Sequence, residues 1–162
     1  MWSHADLLIA WQISRRVRDT GERYSELNYE NRRRCHCGFI TYEADVDPDE
    51  VYVCHCTDCQ SISGSAFRWA VPVAEEAFKL LSGEPKTYIK TADSGATSHQ
   101  LFCPECASPL YSTSIGDGPK FFNLRVGTAR QRAELGPRVQ WWCRSAQGWV
   151  ADLGPAKQFD TQ

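Results

Sequence analysis

The chain lacks any long hydrophobic run, and no apolar stretch approaches the roughly 20 residues that a helix needs to cross a bilayer. It also has little net charge, formally -2 over 162 residues, which gives no general reason to expect a nucleic acid or a membrane as its partner. We find no internal repeat, low-complexity tract or linker. These absences favour one globular domain, and 42% hydrophobic with 23% charged residues is an ordinary composition for one.

A signal for export is missing as well. The apolar stretch at residues 7–11 is short, and its basic neighbours, Arg15, Arg16 and Arg18, follow it instead of preceding it. We therefore expect a cytoplasmic protein. In a reducing compartment, closely spaced cysteines bind metal more often than they form disulfides.

Residues 1–34 contain no proline and no cysteine, one glycine, and seven arginines against five acidic residues. A weak helical pattern over His4–Arg18 predicts either a helix packed on the domain or on a partner, or a disordered tail. We assign residues 1–33 to this N-terminal extension and residues 34–162 to the domain. The run of three arginines at residues 32–34 is interpreted as a solvated charged segment.

From Cys35 onward the sequence predicts a mostly β fold. Residues 39–46 alternate in polarity, so the side chains at 40, 42, 44 and 46 share one face of a strand. Turn signals separate further short strands, and residues 74–77 form at most one helical turn. The predicted strands are 39–46, 51–53, 67–73, 78–81, 86–91, 97–102, 110–114, 120–126 and 139–142.

The hexapeptide from Cys54 to Cys59 places three thiols within six residues. If the chain is extended up to Cys56, the two-residue period of a strand puts Cys54 and Cys56 on one face and His55 on the other. A turn then brings Cys59 back beneath them. Three thiolates with an open fourth position are the pattern of a catalytic zinc site.

Four other thiols form a second set. Cys35 and Cys37 make one pair, Cys103 and Cys106 make another, and together they supply the four ligands of a tetrahedral site. An ion there would clamp the first hairpin to a segment much later in the chain. The alternative for both sets is a group of reduced core cysteines without metal.

Several neighbouring groups are assigned to packing instead of metal binding. The eighth cysteine, Cys143, follows two tryptophans, and a lone cysteine beside aromatic residues is usually a small buried hydrophobe. His36 and His55 lie between thiols in sequence, but strand periodicity directs them away from the ion. The C-terminal tryptophans are also expected in the core: Trp141, Trp142 and Trp149.

The cysteine motifs and the residues around them occur together in a known family. The matching elements are Cys35-x-Cys37-Gly38, Cys54-His55-Cys56-x-x-Cys59-Gln60, Gly64-Ser65-x-Phe67, Ser82-Gly83-Glu84, Phe102-Cys103-x-x-Cys106, Pro109-Leu110, Gly127-Thr128 and Trp149. This set, over about residues 34–160, resembles the family of glutathione-dependent formaldehyde-activating enzymes, which includes the centromere protein V domain.

The resemblance implies a tent-like fold of small antiparallel sheets around two Zn²⁺ ions. It implies a structural zinc on Cys35, Cys37, Cys103 and Cys106. It also implies a second zinc with an open position on Cys54, Cys56 and Cys59. Two departures stand out: Ala107 occupies a position where the family usually has glycine, and the extension before Arg34 has no counterpart. If Ala107 adopts a positive φ, its β-carbon costs about 1 kcal/mol.

Two functional hypotheses follow. The first is a zinc-dependent carbon–sulfur lyase-like enzyme acting on a thiol–aldehyde adduct such as S-hydroxymethylglutathione, formed from glutathione and formaldehyde. An open zinc position can lower the pKa of an incoming thiol, and the polar groups available for proton transfer are Asp58, Gln60, Ser61 and Ser63. The alternative is a non-catalytic, zinc-stabilised module that binds a protein, RNA or a small thiol.

Overall fold

The computed structural model describes residues 32–154 and 156–161, and within them the chain forms ten strands and one α-helix. The prediction of a mostly β fold is confirmed. The strands are β1 (Arg32–Arg34), β2 (Thr41–Ala44), β3 (Tyr52–Cys54), β4 (Arg68–Ala74), β5 (Phe78–Ser82), β6 (Lys86–Thr91), β7 (Thr97–Phe102), β8 (Pro109–Ser114), β9 (Phe121–Arg125) and β10 (Val139–Trp141); the helix is α1 (Thr57–Ser63).

Two of these elements, β1 and α1, are additions to the predicted set. The expected helical turn at residues 74–77 is present as a 3-10 turn over Glu75–Ala77. The predictions for residues 1–31, including the helix over His4–Arg18, lie outside the described residues. In the part of the chain that is described, no helix has the length and hydrophobicity that a membrane crossing requires.

The strands form a small sheet in the order β1-β2-β5 and a large sheet in the order β10-β3-β4-β9-β8-β7-β6. Neighbouring strands run antiparallel, except that β10 lies parallel to β3 with Trp141 opposite Cys54. A long connection leads from β9 to β10. The strand β10 then forms the edge of the large sheet, next to β3 and the cysteine hexapeptide.

The main core lies where the two sheets meet. The alternating segment behaves as predicted, since Ile40, Tyr42, Ala44 and Val46 are all buried. Phe78 of the small sheet joins the sheets through its ring, whose centroid lies 5.3 Å from that of Tyr42, 5.0 Å from Tyr111 and 4.9 Å from Phe122. Aromatic contacts at this spacing add to the free energy of burial.

The opposite face of the large sheet is polar. Residues directly opposite each other in antiparallel strands project to the same side, so the strand register identifies the side chains of this face. We call it the polar face and define it by Tyr52, Cys54, Arg68, Lys90, Ser98, Gln100, Ser112, Asn123 and Arg125.

Four packing predictions are wrong. Trp141, Trp142 and Trp149 are 38%, 53% and 56% exposed, and Cys143 is exposed as well. For Trp141 the reason is topological, because β10 is the outermost strand of the large sheet and its three residues are all exposed; Trp142, Cys143 and Trp149 lie in the segment after it. Tryptophan composition alone does not show whether a strand lies at a sheet edge.

The prediction of a solvated arginine run also fails for Arg33. Arg34 is exposed, but Arg33 lies opposite Tyr42 and is only 1% exposed. Burial lowers the pKa of Arg33, and its guanidinium nitrogens have no hydrogen-bond partner in the structure that the described chain forms. Arg33 is therefore buried although it is charged, because its position in β1 places it on the same buried face as Tyr42.

Candidate metal centres

The first and third cysteine motifs meet in space. The Sγ atoms of Cys35, Cys37, Cys103 and Cys106 all lie within 4.8 Å of one another. The Sγ of Cys37 is 3.5 Å from that of Cys35 and 3.8 Å from that of Cys103. Cys35 and Cys103 are fully buried, whereas Cys37 is exposed. We call this set the four-thiol group.

Two tight turns shape the four-thiol group. Gly38 follows the first pair with φ 85°, and its backbone amide donates to the carbonyl of Cys35. Ala107 follows the second pair with φ 57°, and its amide donates to the carbonyl of Cys103 over 2.9 Å. Ala107 therefore adopts the left-handed conformation that its glycine-favoured position suggested.

Ser108 connects the two turns of this group. Its hydroxyl accepts a hydrogen bond from the backbone amide of His36 over 3.0 Å and lies 3.2 Å from the Sγ of Cys106. One side chain thus links the turn after β1 to the turn after β7. His36 itself is exposed, so its ring is not the packing group that we predicted.

The second group is built where β3 ends and α1 begins. The Sγ atoms of Cys54, Cys56 and Cys59 lie within 4.8 Å of one another. Cys54 closes β3, Cys56 is the extended residue that caps α1, and its Sγ accepts from the backbone amide of Cys59 over 3.4 Å. We call this set the three-thiol group.

The convergence of these three thiols was predicted, but the element that positions Cys59 was not. We expected a turn after Cys56, and the structure has a helix of seven residues. The N-cap residue is Cys56 instead of the usual serine, threonine, asparagine or aspartate, so the sequence does not show the residue type that commonly marks the start of a helix. The helix ends at Gly64, which has φ 62° and closes it in the left-handed conformation.

The spacing of the sulfur atoms suits a tetrahedral metal. With zinc–sulfur bonds near 2.3 Å, two thiolates on one tetrahedral ion lie roughly 3.8 Å apart. The distances within the four-thiol group, 3.5 and 3.8 Å, are close to that value. They are far above the roughly 2.05 Å of a disulfide, and all eight cysteines lie in the described residues as free thiols. Both groups could therefore hold a thiophilic metal ion.

Each group favours one ionised thiol even without metal. The hydrogen bond from Cys59 lowers the pKa of Cys54 to about 5, with help from the backbone amide of Cys56 and the charge of Arg68. The pKa of Cys59 is raised, chiefly because its proton is shared with Cys54. In the other group the Ser108 hydroxyl lowers the pKa of Cys106 to about 5. Deprotonated sulfur is the form that binds metal.

His55 lies away from the three-thiol group, as strand periodicity predicted. Its ring is 1% exposed, packs edge-on against Phe67 at 5.7 Å and places Nε2 3.1 Å from Oε1 of Gln140. In the described structure Nδ1 has no hydrogen-bond partner. The histidine ring therefore packs between Phe67 and β10, and it does not join the thiols as a ligand.

Two of the polar groups predicted for proton transfer make structural hydrogen bonds instead. The Nε2 of Gln60 donates to the carbonyls of His55 and Ser145, over 2.6 and 2.9 Å. The hydroxyl of Ser63 donates to the carbonyl of Cys59 over 2.6 Å. Ser61 is exposed, and Asp58 has Oδ2 2.5 Å from Nζ of Lys90.

Arg68 is a residue of this site that the sequence did not reveal. It lies opposite Cys54 in the β3–β4 pair, and its Nη2 donates to the hydroxyl of Tyr52 over 3.1 Å. Burial opposes its charge, but Tyr52 and the three thiols together raise its pKa. Arg68 stands fourteen positions after Cys54 in the sequence, and its relation to the thiols appears only when β4 pairs with β3.

Residues 30–145 match the family of the glutathione-dependent formaldehyde-activating enzyme. A search of curated proteins gave no match. A similar solved structure is that of a protein from Rhodobacter sphaeroides, a structural-genomics target. It has a TM-score of 0.52 and 16% identity, and the alignment covers 68% of this chain and 98% of the other.

The structural likeness at this identity concerns the fold alone, while the family match spans most of the chain. The matched region contains all seven cysteines of the two thiol groups, which the fold brings together as the motifs predicted. The chain therefore belongs to the family of glutathione-dependent formaldehyde-activating enzymes.

Proposed function

We propose that the protein is a zinc-dependent carbon–sulfur lyase-like enzyme acting on a thiol–aldehyde adduct such as S-hydroxymethylglutathione, which glutathione and formaldehyde form. The observation that carries this proposal is the three-thiol group. Cys54, Cys56 and Cys59 converge, and among the described residues no fourth histidine, cysteine or carboxylate joins them. Three protein ligands leave one position of a tetrahedral ion for an exogenous ligand.

We assign one zinc to each group. Cys35, Cys37, Cys103 and Cys106 form a closed set of four ligands, which is typical of a structural site. The three-thiol group is the candidate reaction site. When bound there, zinc supplies positive charge that lowers the pKa of an incoming thiol, so that the thiolate is present at neutral pH.

The chain's own residues supply charge balance and a proton. Arg68 lies opposite Cys54, so its guanidinium offsets the negative charge of the thiolates. Asp58, paired with Lys90, is the candidate that remains for proton transfer, because Gln60 and Ser63 make main-chain hydrogen bonds.

The proposed step conserves atoms and charge. In the lyase direction Asp58 takes the proton of the carbinol hydroxyl, the carbon–oxygen double bond of formaldehyde forms, and the carbon–sulfur bond breaks to release the thiolate. In the reverse direction the thiolate attacks the carbonyl carbon and Asp58 returns the proton to the oxygen.

Cobalt substitution tests this proposal. Cobalt bound by thiolates absorbs through a charge-transfer band, which should change as glutathione binds at the open position. Cys56→Ser should abolish the change and leave the signal of the four-thiol group intact. Cys143→Ser is the matched control, because this exposed cysteine belongs to neither group. A spectrum that millimolar glutathione leaves unchanged would rule out thiolate delivery.

The exposed aromatic residues favour a second candidate, a zinc-stabilised binding module without turnover. Trp142 and Trp149 are more than half exposed, and the guanidinium of Arg144 lies 4.6 Å from the ring centre of Trp142. Exposed tryptophans are common in protein interfaces. NMR exchange between glutathione, formaldehyde and their adduct separates the candidates: an enzyme accelerates the exchange over the uncatalysed rate, and Cys56→Ser removes that acceleration, whereas a module leaves the rate unchanged.

A further inference from the structure

Two arginines, the half-buried Arg68 and the buried Arg125, lie on the polar face beside the three-thiol group. Ala70 of β4 is opposite Arg125 of β9, and Arg68 is two residues before Ala70 on the same side of the sheet. Arg68 and Arg125 are therefore diagonal neighbours across adjacent strands, a relationship that brings long side chains within reach of each other. The backbone positions of Cys54 and Arg125 differ by two strand spacings across the sheet, roughly 10 Å, and by two residues along the strands, roughly 7 Å.

Arg125 is held in place by one hydrogen bond, but another of its guanidinium nitrogens has no hydrogen-bond acceptor among the described residues. It is 8% exposed, and its Nη2 donates to Oε1 of Gln100 over 2.9 Å. The Nε2 of Gln100 in turn donates to the hydroxyl of Ser98 over 3.0 Å, which orients the amide with its oxygen toward the arginine. The Nη1 of Arg125 is buried, and the described structure offers it no hydrogen-bond partner.

Arg68 also has one guanidinium nitrogen in a hydrogen bond and another without an acceptor among the described residues. Its Nη2 donates to the hydroxyl of Tyr52, which itself donates to Oδ1 of Asn123 over 2.8 Å. Its Nε is buried and, within the described residues, has no partner. Burial, followed by the charge of Arg68, lowers the pKa of Arg125 to about 10, in agreement with two cations placed close together.

No carboxylate of the described chain neutralises this pair. Among the described side chains Asp58 pairs with Lys90 and Asp49 with Arg138, and no ion pair there joins a carboxylate to Arg68 or Arg125. Three thiolates around one divalent ion sum to one negative charge, which offsets one guanidinium. The second guanidinium then remains uncompensated, and buried charges in proteins are normally paired.

We propose that Arg125, with Arg68 beside it, binds a carboxylate of the thiol substrate, so that the site selects thiols with an acidic group several bonds from the sulfur. This inference rests on the proposed function, because it needs a substrate sulfur at the three-thiol group. Arg125 is then a specificity-determining residue. A guanidinium with an unpartnered Nη1 is well suited to an anionic oxygen, and the separation of Cys54 and Arg125 by two strand spacings places that oxygen several bonds from the substrate sulfur.

A matched pair of thiols tests the inference without any mutation. N-acetylcysteinylglycine and its C-terminal amide differ in one negative charge and little else. Each is titrated into the cobalt-substituted protein, with the charge-transfer band and calorimetry as readouts. A hydrogen bond between charged groups predicts that the acid binds about ten- to a hundredfold more tightly than the amide.

Variants then locate the anion site. Arg125→Gln should reduce the preference for the acid to less than about threefold, while Arg125→Lys, which keeps the charge, should retain part of it. Arg130→Gln is the control, because Arg130 is exposed and lies outside the polar face. Near-ultraviolet circular dichroism and the cobalt signal of the four-thiol group check that each variant is folded.

The possible outcomes separate this inference from the proposed function. Equal binding of acid and amide, with both changing the spectrum, would overturn the anion site and leave the proposed function intact. A spectrum that neither thiol changes would overturn the proposed function and the inference with it. A preference for the acid that survives in Arg125→Gln would place the anion elsewhere and overturn the assignment of Arg125.

Discussion

Arg68 of β4 lies directly opposite Cys54 of β3, so a guanidinium faces the first thiol of the three-thiol group. The residues come from two strands that α1 and a short loop separate in sequence. Their pairing places positive charge beside sulfur atoms that bind metal only when deprotonated. Arg68 thus links the fold of the large sheet to the chemistry of the site.

Removal of this charge should weaken metal binding at the three-thiol group. We expect Arg68→Gln to lower the cobalt affinity of that group by about 1 kcal/mol, roughly fivefold, because a thiolate loses a neighbouring cation. Competitive titration with a chelator measures the change. Arg138→Gln, at an exposed position of a weak surface ion pair, should leave the affinity unchanged. Equal affinities of Arg68→Gln and the native protein would contradict the prediction.

The purified protein should contain up to two equivalents of zinc per chain and no disulfide among its seven motif cysteines. This expectation follows from two groups of thiols at metal-binding distances. Elemental analysis measures the zinc, and mass spectrometry of peptides from a freshly prepared sample measures the thiols. A disulfide from Cys35 to Cys37 or to Cys103 would contradict it.

Loss of one ligand should affect the two groups differently. Cys103→Ser breaks a group that joins segments 66 residues apart, so much of the binding free energy lost is folding free energy. We expect poor solubility or a large fall in melting temperature. Cys56→Ser should be tolerated better, because its ligands lie within six residues. Thermal melts that show equal destabilisation would oppose the assignment of structural and reactive roles.

The stability of the metal-free protein should depend on pH. In the folded chain the pKa values of Cys54 and Cys106 are lowered to about 5, chiefly by hydrogen bonds from Cys59 and Ser108, against 9.0 for an ordinary thiol. Between pH 5 and 9 the unfolded chain therefore binds more protons, so the free energy of unfolding should fall as the pH is lowered through this window.

Urea denaturation at several pH values measures this dependence. Cys54→Ser should make it shallower, and Cys143→Ser should leave it unchanged. The pKa of Cys59 is raised, so Cys59 has the opposite effect on the free energy of unfolding: its stabilising contribution is present below pH 9 and is lost as the pH rises above 9. A free energy of unfolding that stays constant from pH 5 to 9 would show that neither thiol is ionised in the folded protein.

Ala107→Gly should stabilise the protein. Ala107 has φ 57°, and a β-carbon in this region costs about 1–2 kcal/mol, while glycine adds about 0.4–1 kcal/mol of unfolded-state entropy. The net gain should be about 0.5–1 kcal/mol, measured by denaturation of the zinc-bound protein. Ala74→Gly is the matched control, since its φ is -66° and the same change should destabilise there. Destabilisation by Ala107→Gly would show that its turn is unstrained.

The sequence by itself determined the local features of this protein. Alternation of polarity located most strands and the buried face of β2, because a strand's side-chain period does not depend on its neighbours. The spacing of the cysteines divided seven thiols into groups of four and three, since thiols two or three residues apart can share one ion. Strand periodicity also predicted that His55 points away from the thiols, and its ring lies at Gln140.

Only the tertiary structure decided which segments meet and which side chains water reaches. The edge position of β10 exposes Trp141, and the pairing of β1 with β2 buries Arg33. Arg68 and Arg125 come together beside the thiols because β3, β4 and β9 are neighbours in the large sheet. Strand order and register arise from the burial of the whole sheet, so residues that meet across strands leave no signal in local spacing.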